Sequence, residues 1–201
     1  MVLLQPDLGA ARVTVIGLDG GARTAREADH LLHRLAERLP LPESTHGCTH
    51  PLRDPEPRVV LSLTLPDDAA ARPVFDRLRD GAAGEDVAAA WGERRAGARA
   101  AGAAAGAAAA AAGTGRAVLF PGWRLLTGSL TLGEVFARTA ITRAEALGGT
   151  VPPASAVLDT RGHVRPELRD GTLLLRLMPA RGGRYVPFEI PDPHPCCGAR
   201  A

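Results

Sequence analysis

The chain contains no lysine and no asparagine, and Gln5 is its only glutamine, so all 24 of its basic side chains are arginine. Each absence removes a mechanism. A Walker-type phosphate loop requires its lysine, a Schiff-base enzyme requires a lysine amine, and N-glycosylation requires asparagine. Aromatic residues make up 3% of the chain, which leaves little stacking surface for single-stranded nucleic acid. No apolar stretch reaches the roughly 18 residues a membrane-spanning helix needs, and Met1–Ala11 lacks a basic segment followed by an apolar core. These features predict a soluble, cytoplasmic protein with no membrane partner. The enrichment in Ala, Arg, Gly and Pro is a bias of composition and names no partner.

Cysteine is scarce, and its placement is pointed. The three cysteines lie in His46-Gly47-Cys48-Thr49-His50 and in His194-Pro195-Cys196-Cys197, each within two residues of a histidine. Thiolate and imidazole together suit zinc and other borderline-soft metals. In an extended stretch alternate side chains share a face, which groups His46, Cys48 and His50, and likewise His194 and Cys196. If the fold brings the two segments together, His46, Cys48, His50, His194, Cys196 and Cys197 are candidate zinc ligands. Neither segment has the C-x₂₋₄-C or H-x₃₋₅-H spacing of a zinc finger. The bland alternative is a half-buried thiol and a proline-stiffened tail over residues 191–201. The odd cysteine count points to reduced thiols.

At 201 residues and 45% hydrophobic, the chain can bury a sizeable core as one globular domain. A strand over Arg12–Gly17, a glycine turn and a helix from about Ala22 to Leu39 open the chain. Ala28, Leu31, Leu32, Leu35 and Leu39 form one apolar stripe, which places His30 and His33 on the solvated face. Gly17-x-x-Gly20-Gly21 at the helix start is a candidate anion cradle, although it departs from G-x-G-x-x-G. A proline-rich loop carries the first His/Cys segment. Arg58–Leu65 then reads as a central strand, and Asp67 and Asp68 cap a helix that Pro73 kinks or interrupts. A second helical stretch is expected from near Glu85, through Trp91, into the tract 100–113, which is made only of Ala and Gly. Its Gly102 and Gly106 would let another backbone approach closely, and the same glycines weaken the helix enough to make a mobile linker the competing reading of this low-complexity tract.

Arg116–Phe120 is predicted as a third strand. Thr131-Leu132-Gly133-Glu134 matches a capping box and opens a helix expected to run past Ala144 to Gly148-Gly149. From Pro152 the texture becomes β, with strands at Ser155–Asp159, Thr172–Met178 after an Asp170-Gly171 turn, and Tyr185–Ile190. The order of elements predicts an α/β or α+β fold: a mixed β-sheet covered by helices, ending in a C-terminal antiparallel meander.

Asp159, Arg161 and His163 supply a carboxylate, a guanidinium and an imidazole within five residues, a candidate catalytic set on a small acidic or acyl substrate, with Ser129, Glu134 and Arg138 as further parts. Gly128-Ser129-Leu130 lacks the second glycine of a nucleophile elbow. Arg161, Arg165, Arg169, Arg176, Arg181 and Arg184 crowd the same region against Glu167 and Asp170, a setting for a small anionic ligand. Three expectations follow: a small binding or accessory protein holding zinc, an enzyme acting through Asp159 and His163, or an interaction module whose Ala/Gly helix packs on a protein partner.

Overall fold

The computed structural model describes residues 13–54, 56–81 and 86–191. Its first half is built from β1 (Thr14–Asp19), α1 (Ala25–Arg38), β2 (His46–Leu52), β3 (Arg58–Leu65), α2 (Asp68–Arg79) and β4 (Ala88–Trp91). These strands pair antiparallel in the order β4-β1-β3-β2. β1 and β2 therefore run in the same direction with β3 inserted between them, the split β-α-β arrangement. Alternation along the strands sets the layers. Ile16, Leu18, Leu61, Leu63 and Leu65 point to one face and form a single core with Leu31, Leu32 and Leu35 of α1 and Val74, Phe75 and Leu78 of α2.

The opposite face is covered by α3 (Ala100–Ala111), the Ala/Gly tract. Its packing is close because side chains are missing on both sides. A Cβ built on Gly17 of β1 would lie 1.8 Å from the Ala103 carbonyl oxygen, and one on Gly106 would lie 2.7 Å from that of Leu61. Gly102, Ala103, Gly106 and Ala110 are buried, so the stripe that could have met another chain rests on this sheet. No helix among the described residues is long and apolar enough to cross a membrane.

β5 (Arg94–Ala96) extends the sheet beyond β4, and β6 (Thr114–Leu119) adds to the free side of β2. The second half continues with β7 (Ser129–Thr131), α4 (Leu132–Arg138), β8 (Ile141–Ala146), β9 (Val157–Asp159), β10 (Glu167–Arg169), β11 (Thr172–Ala180) and β12 (Arg184–Pro187). The strands join one twelve-stranded sheet, in which β10 with β11 and β11 with β12 pair antiparallel while β8 on β11 and β9 on β12 are parallel pairs. Phe188 N–H donates to the Arg176 carbonyl and Leu147 N–H to that of Leu177. Successive carbonyls point to opposite sides, so β8 flanks one edge of β11 and β12 the other. The Asp170-Gly171 turn has positive φ at both residues, 50° and 73°, as a two-residue hairpin requires. A second apolar cluster, including Phe120, Leu132, Ile141, Leu158 and Leu175, fills this half. Trp123 packs against both cores.

Three local expectations are corrected. Trp91 lies on β4 and not in a helix: Ala88, Ala89 and Ala90 are buried at the sheet, where small side chains fit under α2 and α3, and tertiary contact overrides alanine's helix propensity. The capping box at Thr131 and Glu134 forms, but α4 stops at Arg138. Thr139 is extended there, its hydroxyl donates to the Val135 carbonyl and accepts from Ile141 N–H, and the chain leaves as β8. The proline-rich loop after α1 contains β2, seven residues paired to β3. Pro73, by contrast, is accommodated inside α2.

Candidate functional site

α1 begins at a capping box in which Thr24 Oγ1 accepts from Glu27 N–H and Glu27 returns the bond to Thr24 N–H. One turn further on, Asp29 lies on the buried stripe beside Ala28 and is 5% exposed. A buried carboxylate needs partners, and two arginines from the second half of the chain supply them. Arg116 on β6 approaches end-on, NH1 to Oδ1 at 2.5 Å and NH2 to Oδ2 at 3.1 Å, while Arg165 Nε donates to Oδ2 at 2.8 Å. Thr49 of β2 lies 3.4 Å from Arg116 NH1.

The other edge of the Arg116 guanidinium holds Glu189, with Nε donating to Oε2 at 2.7 Å and NH2 donating to Oε1. His163 Nε2 lies 3.1 Å from the same Oε1. Burial opposes ionisation of both carboxyls, yet their hydrogen bonds outweigh it. Arg116 and Arg165 hold Asp29 below the usual carboxylate range, and Arg116 and His163 hold Glu189 at about 2. Burial likewise opposes charge on Arg116, and the two carboxylates reverse the effect and raise it.

These groups line a cavity of about 620 Å³ between the start of α1 and segments 163–165 and 189–191. Its walls carry Arg26, Arg116 and Arg165 against Asp29 and Glu189, and add His30, His33 and His163. His33 is half-buried, its ring 4.9 Å from that of Trp123, a correction to its expected place on a solvated face. Burial, then the charge of Arg165, lower its pKa.

The candidate catalytic residues separate. His163 and Arg165 reach the cavity. Asp159 and Arg161 occupy the turn after β9, where Asp159 accepts from Arg161 N–H at 3.2 Å and Arg161 has φ of 51°. Neither lines the cavity. Ser129 is exposed opposite Asp159, Glu134 is committed to its capping box, and Arg138 is exposed at the end of α4. Of the six crowded arginines, Arg161, Arg169 and Arg176 face Asp159, Glu167 and Glu145 respectively. The glycine turn at Gly20-Gly21 holds the chain's own anion: Gly21 N–H donates to Asp19 Oδ1 at 2.9 Å, and Arg58 pairs with Oδ2.

Of the candidate zinc ligands, His194, Cys196 and Cys197 lie outside the described residues. Cys48 and His50 share the α3 face of β2 and both are buried. Both press against Gly115, where a Cβ would lie 2.8 Å from His50 Cε1 and 2.9 Å from Cys48 Cβ. Burial pushes the Cys48 thiol up to about 12 and His50 down to about 4. His50 Nε2 pairs with Ser62 Oγ at 2.8 Å. His46, at the start of β2, is only partly buried. Among the described residues no three or more His, Cys, Asp or Glu side chains are grouped to hold a metal ion.

The burial of His50 has a measurable consequence. Its folded pKa lies below the unfolded value of about 6.5, so the unfolded chain binds more protons between those limits. Stability should therefore fall as pH drops from about 6.5 towards 4, and the His50→Gln variant should show a flatter dependence of melting temperature on pH in that window. His33 and His46, also lowered, contribute slopes of the same sign that the variant retains.

Sequence reasoning missed Asp29, Arg116 and Glu189. Asp29 had a legible signal, a carboxylate set among Ala28, Leu31 and Leu32 on an apolar stripe, where a charge demands a partner. Arg116 and Glu189 had none, since only the sheet order brings them together. No protein-family model, curated protein or solved structure matches the chain, so the geometry of the cavity carries the functional reading.

Proposed function

We propose that this chain is a binding protein for a small anion, and that the cavity between α1 and the 163–165 and 189–191 segments is its site. The observation that carries the reading is the convergence of Arg26, Arg116, Arg165 and three histidines on one concave space, whose carboxylates among the described residues are Asp29 and Glu189. The first turn of α1 also faces that space, and its helix dipole favours negative charge. Arg116 and Arg165 are fixed by Asp29, so a ligand would meet guanidinium groups already oriented.

Isothermal titration at constant ionic strength tests this. Malonate should bind saturably and neutral malonamide should not. Replacing Arg26, which lines the cavity from an exposed position, with alanine should weaken malonate by about tenfold, the scale of a charge-assisted hydrogen bond. Malonate binding that survives Arg26→Ala unchanged would place the anion elsewhere and overturn the reading.

The zinc proposal rests on Cys48 and His50 lying side by side. It requires a thiol held at about 12 to ionise in a core, which is why the anion reading is preferred. One equivalent of zinc per purified chain, lost in Cys48→Ser, would reverse that preference. An acid–base role for His163 has one supporting feature, its orientation by Glu189, and Asp159 contributes nothing to it from outside the cavity.

A further inference from the structure

Glu189 sits on Arg116 as a ligand carboxylate would. A guanidinium offers two planar edges, each matched to the two oxygens of a carboxylate. Asp29 takes the NH1/NH2 edge from the interior of α1 and is held by Arg165 as well. Glu189 takes the Nε/NH2 edge, and His163 adds a third contact to the same carboxylate. The two acids differ in how firmly the fold holds them. The Asp29 side chain is 7% exposed, whereas that of Glu189 is 37% exposed, beyond the end of β12 and at the cavity wall with Ile190 and Pro191.

We infer that the Nε/NH2 edge of Arg116 together with His163 is a carboxylate subsite which the chain's own Glu189 fills, and that a small carboxylate binds by taking the place of Glu189. This rests on the cavity being the anion site, and it adds the ligand class and the internal competitor. Exchanging one carboxylate for another leaves the contacts on Arg116 nearly unchanged. The tethered Glu189 nevertheless acts at a high effective concentration, and the apparent affinity of a free carboxylate falls by the fraction of time the edge is covered.

The test titrates malonate and inorganic phosphate into the full-length wild type, Glu189→Gln and Glu189→Ala, with thermal melts to confirm that each is folded. Malonate should tighten by about tenfold or more in both variants, and phosphate, whose tetrahedral oxygens fit the planar edge less well, by much less. An equal gain for phosphate would overturn the carboxylate assignment. Wild-type binding that is sensitive to Arg26→Ala, with no gain on removing Glu189, would overturn this inference and leave the cavity reading standing. Failure of the wild type and both variants to bind either anion would overturn both. Should the variants unfold, the wild type still decides: saturating malonate should shift the Glu189 carboxyl carbon and His163 ring resonances, and a Glu189 signal that does not move would reject the exchange.

Discussion

Replacing Asp29 with asparagine should cost the fold about 3–5 kcal/mol, the range for removing one partner from a buried ion pair. The amide keeps the shape of the carboxylate but carries no charge, and it can accept through only one oxygen. Asp29 balances Arg116 and Arg165 together, and their side chains are only 20% and 12% exposed, so the substitution strands two guanidiniums at the seam between the halves. Chemical denaturation of wild type and variant measures the loss directly. The pH dependence should change with it. Asp29 and Glu189 have folded pKa values below their unfolded ones, so their contribution is fully present above about pH 4.5 and is lost as pH falls through the folded values, towards about 2 for Glu189. Asp29→Asn should flatten that acid limb. A cost under about 1 kcal/mol would mean the network behaves like an exposed salt bridge and does not join the halves.

Replacing Gly17 with alanine should cost about 3 kcal/mol, the upper end for forcing extra volume into a packed core. The added methyl would meet the Ala103 carbonyl oxygen at 1.8 Å and the Ala107 nitrogen at 2.7 Å. Both are helix backbone, so no side-chain rotation relieves the contact and α3 must lift from β1. The same displacement would disturb the approach of Gly106 to Leu61, so Gly17→Ala and Gly106→Ala together should cost less than the sum of their separate effects. Denaturant midpoints of the two single variants and the double variant measure this. A Gly17→Ala protein that melts with the wild type would show that α3 is not seated as described.

Elements governed by contacts close in sequence were legible. The stripe Ala28, Leu31, Leu32, Leu35 gave α1, the Thr131 and Glu134 box gave the start of α4, and Asp170-Gly171 gave the hairpin between β10 and β11. Gly106 correctly signalled a close backbone approach, although the surface approached is this chain's own sheet, whereas Gly102 makes room for the Asp19 and Arg58 side chains. Misreadings arose where a distant partner outvoted local preference. Ala88–Trp91 is alanine-rich and reads as helix, but pairing with β1 between α2 and α3 makes it a strand. Ile141–Ala146 continues a helical pattern, but parallel pairing with β11 draws it into the sheet.

For the site, the chemistry was visible residue by residue and the grouping was not. His163 and Arg165 were marked by their neighbourhood of charge, yet their nearest sequence companions, Asp159 and Arg161, face away into a turn. The acids that matter lie 136 positions from Arg165 and 26 from His163.

Composition and periodicity by themselves determined the secondary-structure vocabulary, the sheet-and-helix class, the antiparallel end of the sheet and the exclusion of lysine chemistry, because each depends on side-chain type or on spacings of two to four residues. The tertiary structure decided which edge each strand joined, which face α3 covered and which charges met in the cavity. Those outcomes depend on sheet order, and sheet order follows from the burial of whole faces and not from any local pattern along the chain.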